Sequence, residues 1–209
     1  MTSLRHNPGT KGSTAEAPVP ESPRDGYLDA ARACILDVGW RRTTLTEVAR
    51  RAGVSRMTIY RTWPDMPQLL GDLMTREWSG VVETAVAGQD PGRPAVDRLV
   101  GGIVGTVRAL RDNELFVRII ELDPELILPY LLSRRGRSQD LILALTEEAI
   151  VEGQAAAEVR KGDPTAMARA LVLTTHGFVI SAHTMVDDSV SEAELDGELA
   201  TVLTRMLTP

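Results

Sequence analysis

Apolar residues recur at helical spacing almost everywhere that proline and glycine do not interrupt them, and no stretch alternates as a half-buried strand would. Tyr27, Ala31, Cys34, Ile35 and Val38 share one face of a first helix that Gly39 ends. Leu45, Val48, Ala49 and Ala52 line a short second helix, and Ile59 and Trp63, four apart, mark a third. Leu69, Leu70, Leu73, Met74, Trp78 and Val81 form the stripe of a long fourth over 67–86. Beyond the breaker GQDPGRP at 88–94, helices are predicted over 95–111, 114–122, 124–132, 137–160, 164–186 and 191–207. The pattern predicts an all-α protein. Residues 1–24, rich in Pro, Gly, Ser and Thr, read as a flexible tail. Arg5, Lys11 and Arg24 within it can brush a polyanion, although an inert tail is the simpler reading. The expected organisation is this tail, a three-helix head over 25–66 and a larger helical body over 67–209.

The stretch TLTEVARRAGVSRMTIYRTW at 44–63 carries the most specific signal. Thr44 and Glu47, three apart, predict a reciprocal capping box. Gly53 suits the left-handed conformation that closes a helix, Val54 plugs the corner, and Ser55 caps the helix that follows. Two short helices joined by a tight glycine turn form a helix-turn-helix, whose second helix is of a size to enter the DNA major groove. With Ile59 and Trp63 inward, Ser55, Arg56, Met57, Thr58, Tyr60, Arg61 and Thr62 fall at its start, on its flanks and on its exposed face. Arg56 matches the two acceptors of guanine, and Thr58 a thymine methyl or a hydrogen-bonding edge. Tyr60 offers a phenol to phosphate. Arg41, Arg42, Thr44 and Thr46 gather at the start of the preceding helix, where backbone amides also favour phosphate. Each residue has a plain structural alternative as a cap, a solvated side chain or a wedge; the set points to DNA.

Residues 27–70, YLDAARACILDVGWRRTTLTEVARRAGVSRMTIYRTWPDMPQLL, resemble the N-terminal domain of the TetR family of one-component regulators. The resemblance lies in the LDAA opening, Gly39, the Thr43-Thr44 pair, AGVS, the Thr58-Ile59-Tyr60 core and Trp63. It implies a homodimer with a three-helix DNA-reading head and a ligand-sensing helical body. It also implies base contacts from the first turn of the recognition helix and a phosphate contact from its tyrosine. Met57 stands where a glycine is common, Thr62 replaces a usual histidine, and Met66 replaces a phosphate-binding lysine. Those departures imply modest affinity and an apolar contact from Met57 to a thymine methyl.

The net charge of −6 at first argues against a nucleic-acid partner. It hides an asymmetry: 1–78 carries 11 basic and 9 acidic residues, and 79–209 carries 12 and 20. Within 41–61 there are six arginines and one acid, Glu47, the footprint a polyanion partner needs. The single cysteine, Cys34, excludes an internal disulfide and reads as a small buried residue. With neither a secretory signal nor a membrane span in the pattern, the expected location is cytoplasmic.

The body carries no motif of its own. Met74, Trp78, Phe116, Tyr130, Met167 and Phe178 are the large side chains available to line an apolar pocket, which would take an apolar or amphipathic effector. Gly101, Gly102 and Gly105 inside a helix point to close helix contact, or else to room for a ligand. His176, Ile180, His183 and Asp187 fall on one face of the predicted 164–186 helix, yet the histidines are about 10 Å apart along its axis. A metal is therefore not expected, nor any other cofactor. Leu171, Thr174, Thr175, Phe178 and Ala182, with Leu195, Leu199, Val202, Leu203 and Met206, give two faces for a four-helix dimer interface and so a palindromic operator. No nucleophile with a base beside it and no phosphate-cradling loop suggests an enzyme. The function expected is a regulator, a repressor released by its effector; the alternative is a helical ligand carrier with weakened DNA binding. An activator or a co-repressed regulator fits the same residues.

Overall fold

A computed structural model describes residues 22–209, and every regular element among them is helical. The greater part of the predicted tail, 1–21, lies outside the described residues. Its last three residues, Ser22, Pro23 and Arg24, belong to the first helix and its cap instead. Ser22 caps α1 (Pro23–Val38) by accepting from the Asp25 amide, and Pro23 suits the first turn because its missing N–H is not needed there. Gly39 then turns the chain at a φ of +83°, which side-chain-bearing residues rarely adopt.

A short 3-10 turn, Trp40–Arg42, leads to α2 (Leu45–Arg51) and α3 (Arg56–Thr62). Gly53, at a φ of +69°, takes the predicted left-handed conformation between them. The Val54 amide returns to the Ala49 carbonyl at 3.0 Å, and Val54 packs against the core beneath. α4 (Met66–Ala87) is 22 residues long, which spans roughly 33 Å. Asp65 caps it, and Met66 tucks against the head core.

The body follows as α5 (Ala95–Arg111), α6 (Glu114–Leu122), α7 (Leu128–Leu132), α8 (Arg137–Ala155), α9 (Pro164–Ile180) and α10 (Glu192–Leu207). Three predicted helices are shorter than expected, each for a local reason. The 124–132 helix divides into a 3-10 turn, Pro124–Leu126, and α7, which the prolines Pro124 and Pro129 favour by removing amide donors. α8 stops at Ala155, where Ala157 takes a positive φ of 57° and the Glu158 and Val159 amides return to the Gly153 carbonyl, and Val159 packs into the space that Gly153 leaves. α9 ends at Ile180, and a 3-10 turn, Ala182–Met185, replaces its expected last turns.

Two apolar cores result. The first joins α1–α4 to Leu115, Ile119 and Ile127; the second joins α5 and α8–α10 around Ile150, Leu171, Leu199 and Leu203. α4 and α5 pack closely, and the glycines of α5 explain how: added Cβ atoms would meet Gln89 at Gly101, Val86 at Gly102 and Ala85 at Gly105. A buried carboxylate pins the second core, where Asp196 of α10 accepts from Arg108 at 2.6 Å and Arg111 at 2.7 Å on α5.

Candidate nucleic-acid interface and body cavity

Ser55 caps α3 by accepting from the Thr58 amide at 3.2 Å, and its hydroxyl lies 2.9 Å from the Thr58 hydroxyl. The Thr62 hydroxyl donates back to the Thr58 carbonyl at 3.1 Å. These three polar groups of the expected reading face are thus engaged within the helix, and Thr58 and Thr62 are half-buried. What the helix presents outward is Arg56, Met57, Tyr60 and Arg61, with Met57 at 75% exposure. Ile59 and Trp63 point inward as expected, at 0% and 1%.

At the start of α2, Thr44 and Thr46 are exposed, and the Thr44 hydroxyl accepts from the Glu47 amide at 3.2 Å. The reciprocal half of the predicted capping box is not formed. Glu47 instead accepts from Arg50 at 2.5 and 2.8 Å, bonds that hold its carboxyl below the usual range. That pairing matters for the arginine cluster. Arg50 is neutralised by Glu47, Arg51 by Asp37 at 2.5 Å, and Arg41 by Glu125 at 2.6 Å with Asp123 at 3.3 Å. Among the described residues Arg42, Arg56 and Arg61 pair with no carboxylate, so half of the six arginines keep an uncompensated charge.

Arg41, expected among the phosphate contacts, is here a tie between the two parts of the chain. Asp123 is 4% exposed, accepts the Trp40 amide at 3.1 Å, and fastens the turn before α2 to the end of α6. Glu125, held below the usual carboxylate range by the bond from Arg41, reinforces the tie.

A second carboxylate joins the recognition helix to α4. Asp72 accepts the Trp63 indole N–H at 2.6 Å and guanidinium N–H groups of Arg24 and Arg137. Burial opposes its charge, but these three donors outweigh burial and hold its carboxyl below the usual range. Arg24 also covers the Trp63 ring at 5.3 Å, and Tyr27 meets that ring edge-on at 6.4 Å. Sequence reasoning missed both Asp72 and Asp123, since isolated acids on helices resemble any solvated residue.

Between the two cores lies a cavity of about 730 Å³, walled by α4, α5, α6, α7, α8 and α9. Of the expected lining residues, Met74, Trp78, Phe116 and Tyr130 reach it, and Trp78 and Phe116 meet edge-to-face at 6.0 Å. Met167 and Phe178 do not. Met167 is buried in the second core beside Gln154, and Phe178 packs on that core from α9. His176 lines the cavity, and burial pushes its pKa down, favouring the neutral imidazole. It shares no helix face with His183 and Asp187. α9 has ended, His183 lies in the 3-10 turn, and Asp187 accepts from Ser189 and Val190 in a turn before α10. Cys34 is buried, as expected, and burial raises its thiol pKa.

Part of the expected pairing face is also turned inward. Leu171, Leu199 and Leu203 are buried in the second core, whereas Leu173 on α9 and Val202 on α10 are exposed. Near them, added Cβ atoms at Gly177 and Gly197 would meet nothing within 4 Å.

Residues 28–73 match the family model described as bacterial regulatory proteins, tetR family. Over 177 residues, 84% of this chain and 89% of the relative, the chain is 33% identical to an uncharacterized HTH-type transcriptional regulator of Mycobacterium bovis. It is 44% identical to the HTH-type transcriptional regulator AqdR of Rhodococcus erythropolis over 54 residues, 25% of this chain and 26% of that one. In fold it is similar to the R. erythropolis transcriptional repressor QsdR, with a TM-score of 0.63 and 17% identity over 88% of this chain and 94% of that one. It is also similar to SmeT of Stenotrophomonas maltophilia in its triclosan complex, with a TM-score of 0.60 and 24% identity over 90% and 92%. No helix of the described residues is long and apolar enough to cross a membrane.

Proposed function

Because this chain belongs to the tetR family of bacterial regulatory proteins and is a helix-turn-helix transcriptional regulator, we propose that it acts as a repressor that a small effector releases from DNA. The observation that carries this reading is the course of α4. Its first turns pack under the recognition helix, and its later turns wall the cavity. A ligand that moves α4 therefore moves the reading head. The similar fold of SmeT occurs in complex with triclosan, which supports a ligand role for the cavity.

The DNA-reading surface of this proposal is Arg42, Arg56, Met57, Tyr60 and Arg61, with Thr44, Thr46 and Ser55 at the helix starts. Arg56 and Met57 lie in the first turn of α3, where they meet base edges; Arg42, Tyr60 and Arg61 meet phosphates. Thr58 and Thr62 act through their methyls and flanks, because their hydroxyls are engaged. The protein works as a homodimer, paired through the outer faces of α9 and α10 around Leu173 and Val202. A two-fold pair places two recognition helices on successive major grooves and so selects a palindromic site. The effector is apolar or amphipathic, in keeping with the walls formed by Met74, Trp78 and Phe116.

Selection of bound sequences from random DNA, followed by mobility shifts across salt concentrations, tests the reading. The expected result is one palindrome bound with an affinity that falls as salt rises. Enrichment of no common sequence would overturn it.

A further inference from the structure

The distribution of charge around the cavity narrows the effector class, given the reading that the cavity takes an effector at all. Lining residues on α8 run from Arg137 to Glu152, so the cavity extends along roughly 22 Å of that helix. Most of its wall is apolar, with Trp78, Leu99 and Ile142 as examples. The end at the start of α8, where Arg137 reaches Asp72 beside Trp63, is different: Arg134, Arg135 and Arg137 all line it. Arg135 pairs with Asp140 at 3.2 Å, and Arg137 pairs with Asp72. Arg134 pairs with no carboxylate among the described residues; its guanidinium lies 4.9 Å over the Tyr130 ring and donates from one Nη to the Tyr130 hydroxyl at 3.4 Å, which leaves its other N–H groups for an anion. The other charges on the lining lie away from this cluster: Glu148 and Glu152 on the later turns of α8, and Arg98 near the start of α5, which donates to the Pro91 carbonyl at 2.9 Å.

We infer that the effector is a long-chain amphiphile with an anionic head, carboxylate or phosphate, whose chain lies along α8 and whose head sits among Arg134, Arg135 and Arg137, competing with Asp72 for Arg137. The guanidinium fork matches both head groups with paired, charge-assisted bonds. A neutral or cationic head gains nothing at this end. The competition also supplies the link to DNA. Asp72 holds the Trp63 indole at 2.6 Å, so drawing Arg137 away alters the partners of the carboxylate that anchors the end of the recognition helix.

Calorimetric titration of the full chain with four probes of equal chain length tests this: dodecanoate, dodecyl phosphate, dodecanol and dodecyltrimethylammonium. At least one anion should bind about ten-fold or more tighter than dodecanol, as charged hydrogen bonds require, and the better of the two names the head group. Arg134→Gln should remove that preference and leave dodecanol binding unchanged. Asp72→Asn, which relieves the competition, should tighten the anion alone; should it fail to fold, Arg134→Gln, a change at an exposed side chain, still decides. Equal binding of anion and alcohol, or tightest binding of the ammonium, would overturn the head-group assignment while the cavity keeps its effector role. Failure of all four probes to bind would overturn both.

Discussion

The Trp63 indole donates to Asp72 across 2.6 Å, and by that bond the residue closing the recognition helix is tied to the helix that walls the cavity. Trp63→Phe keeps a ring in the buried slot but removes the donor together with the rest of the indole, so a small void adds to the loss. Hydrogen bonds to charged groups contribute about 1.5–3 kcal/mol, and the two arginines that remain on Asp72 place this one near the lower end. Urea unfolding should show a loss of at least that size with the slope unchanged. An unchanged midpoint would mean that the bond contributes nothing to stability.

Arg50 and Arg61 are both exposed arginines of the head, but only Arg50 has a carboxylate partner. Arg61→Ala should weaken binding to all DNA sequences alike and lower the slope of log affinity against log salt by about 0.9. Arg50→Ala should leave that slope unchanged. Mobility shifts over a salt series separate the two, and equal effects would count against the assignment of phosphate contacts.

Asp196, 3% exposed, is the acid shared by Arg108 and Arg111. The Arg111 side chain is only 10% exposed, so removing Asp196 leaves a nearly buried cation with only the more distant Glu192, at 3.9 Å, to offset it. Asp196→Ala should destabilise the protein by about 3–5 kcal/mol, measured as a fall in the denaturant midpoint. A change within experimental error would show that water reaches Arg111 freely.

His176 gives the body a pH dependence whose sign follows from burial. Its pKa in the folded protein lies below the ordinary 6.5, so the fold keeps the ring neutral while an unfolded chain takes up a proton. Nothing is lost above 6.5; as the pH falls below that value, stability declines until the folded pKa is reached. His176→Leu should flatten this decline in thermal melts recorded over the same range. An equally steep decline in the variant would assign it to other groups.

The proposed pairing surface is checked by Leu173, 69% exposed on α9. Leu173→Glu places a charge at the centre of the two-fold contact and should convert dimers to monomers in sedimentation. Because the side chain makes no part of the core, the melting of the monomer itself should hardly change. A dimer that survives would move the interface elsewhere.

Helical periodicity and the glycine at 53 made most of the fold legible before any coordinates, because each acts through local backbone chemistry. The α5 and α6 boundaries, Ala95–Arg111 and Glu114–Leu122, are those the pattern predicts. The failures are long-range. Nothing near residue 155 announces that Val159 will fold back over Gly153. Nothing near Met167 reveals that it turns to the second core while Met74 turns to the cavity. The arginine cluster was legible as a count, but which half is already neutralised depends on Asp37 and Glu125, acids from other elements. The run Arg134, Arg135, Arg137 within an acidic half of the chain was the one visible signal left unused.

The core under the recognition helix is not built from neighbouring sequence alone, since Leu115, Ile119 and Ile127 complete it and Asp123 fastens its turn. The head is therefore not a transplantable module. A chimaera that grafts residues 25–66 onto another body would expose the surface those three side chains cover. To retain its specificity, a designed hybrid regulator would have to carry α6 and the turn after it along with the reading head.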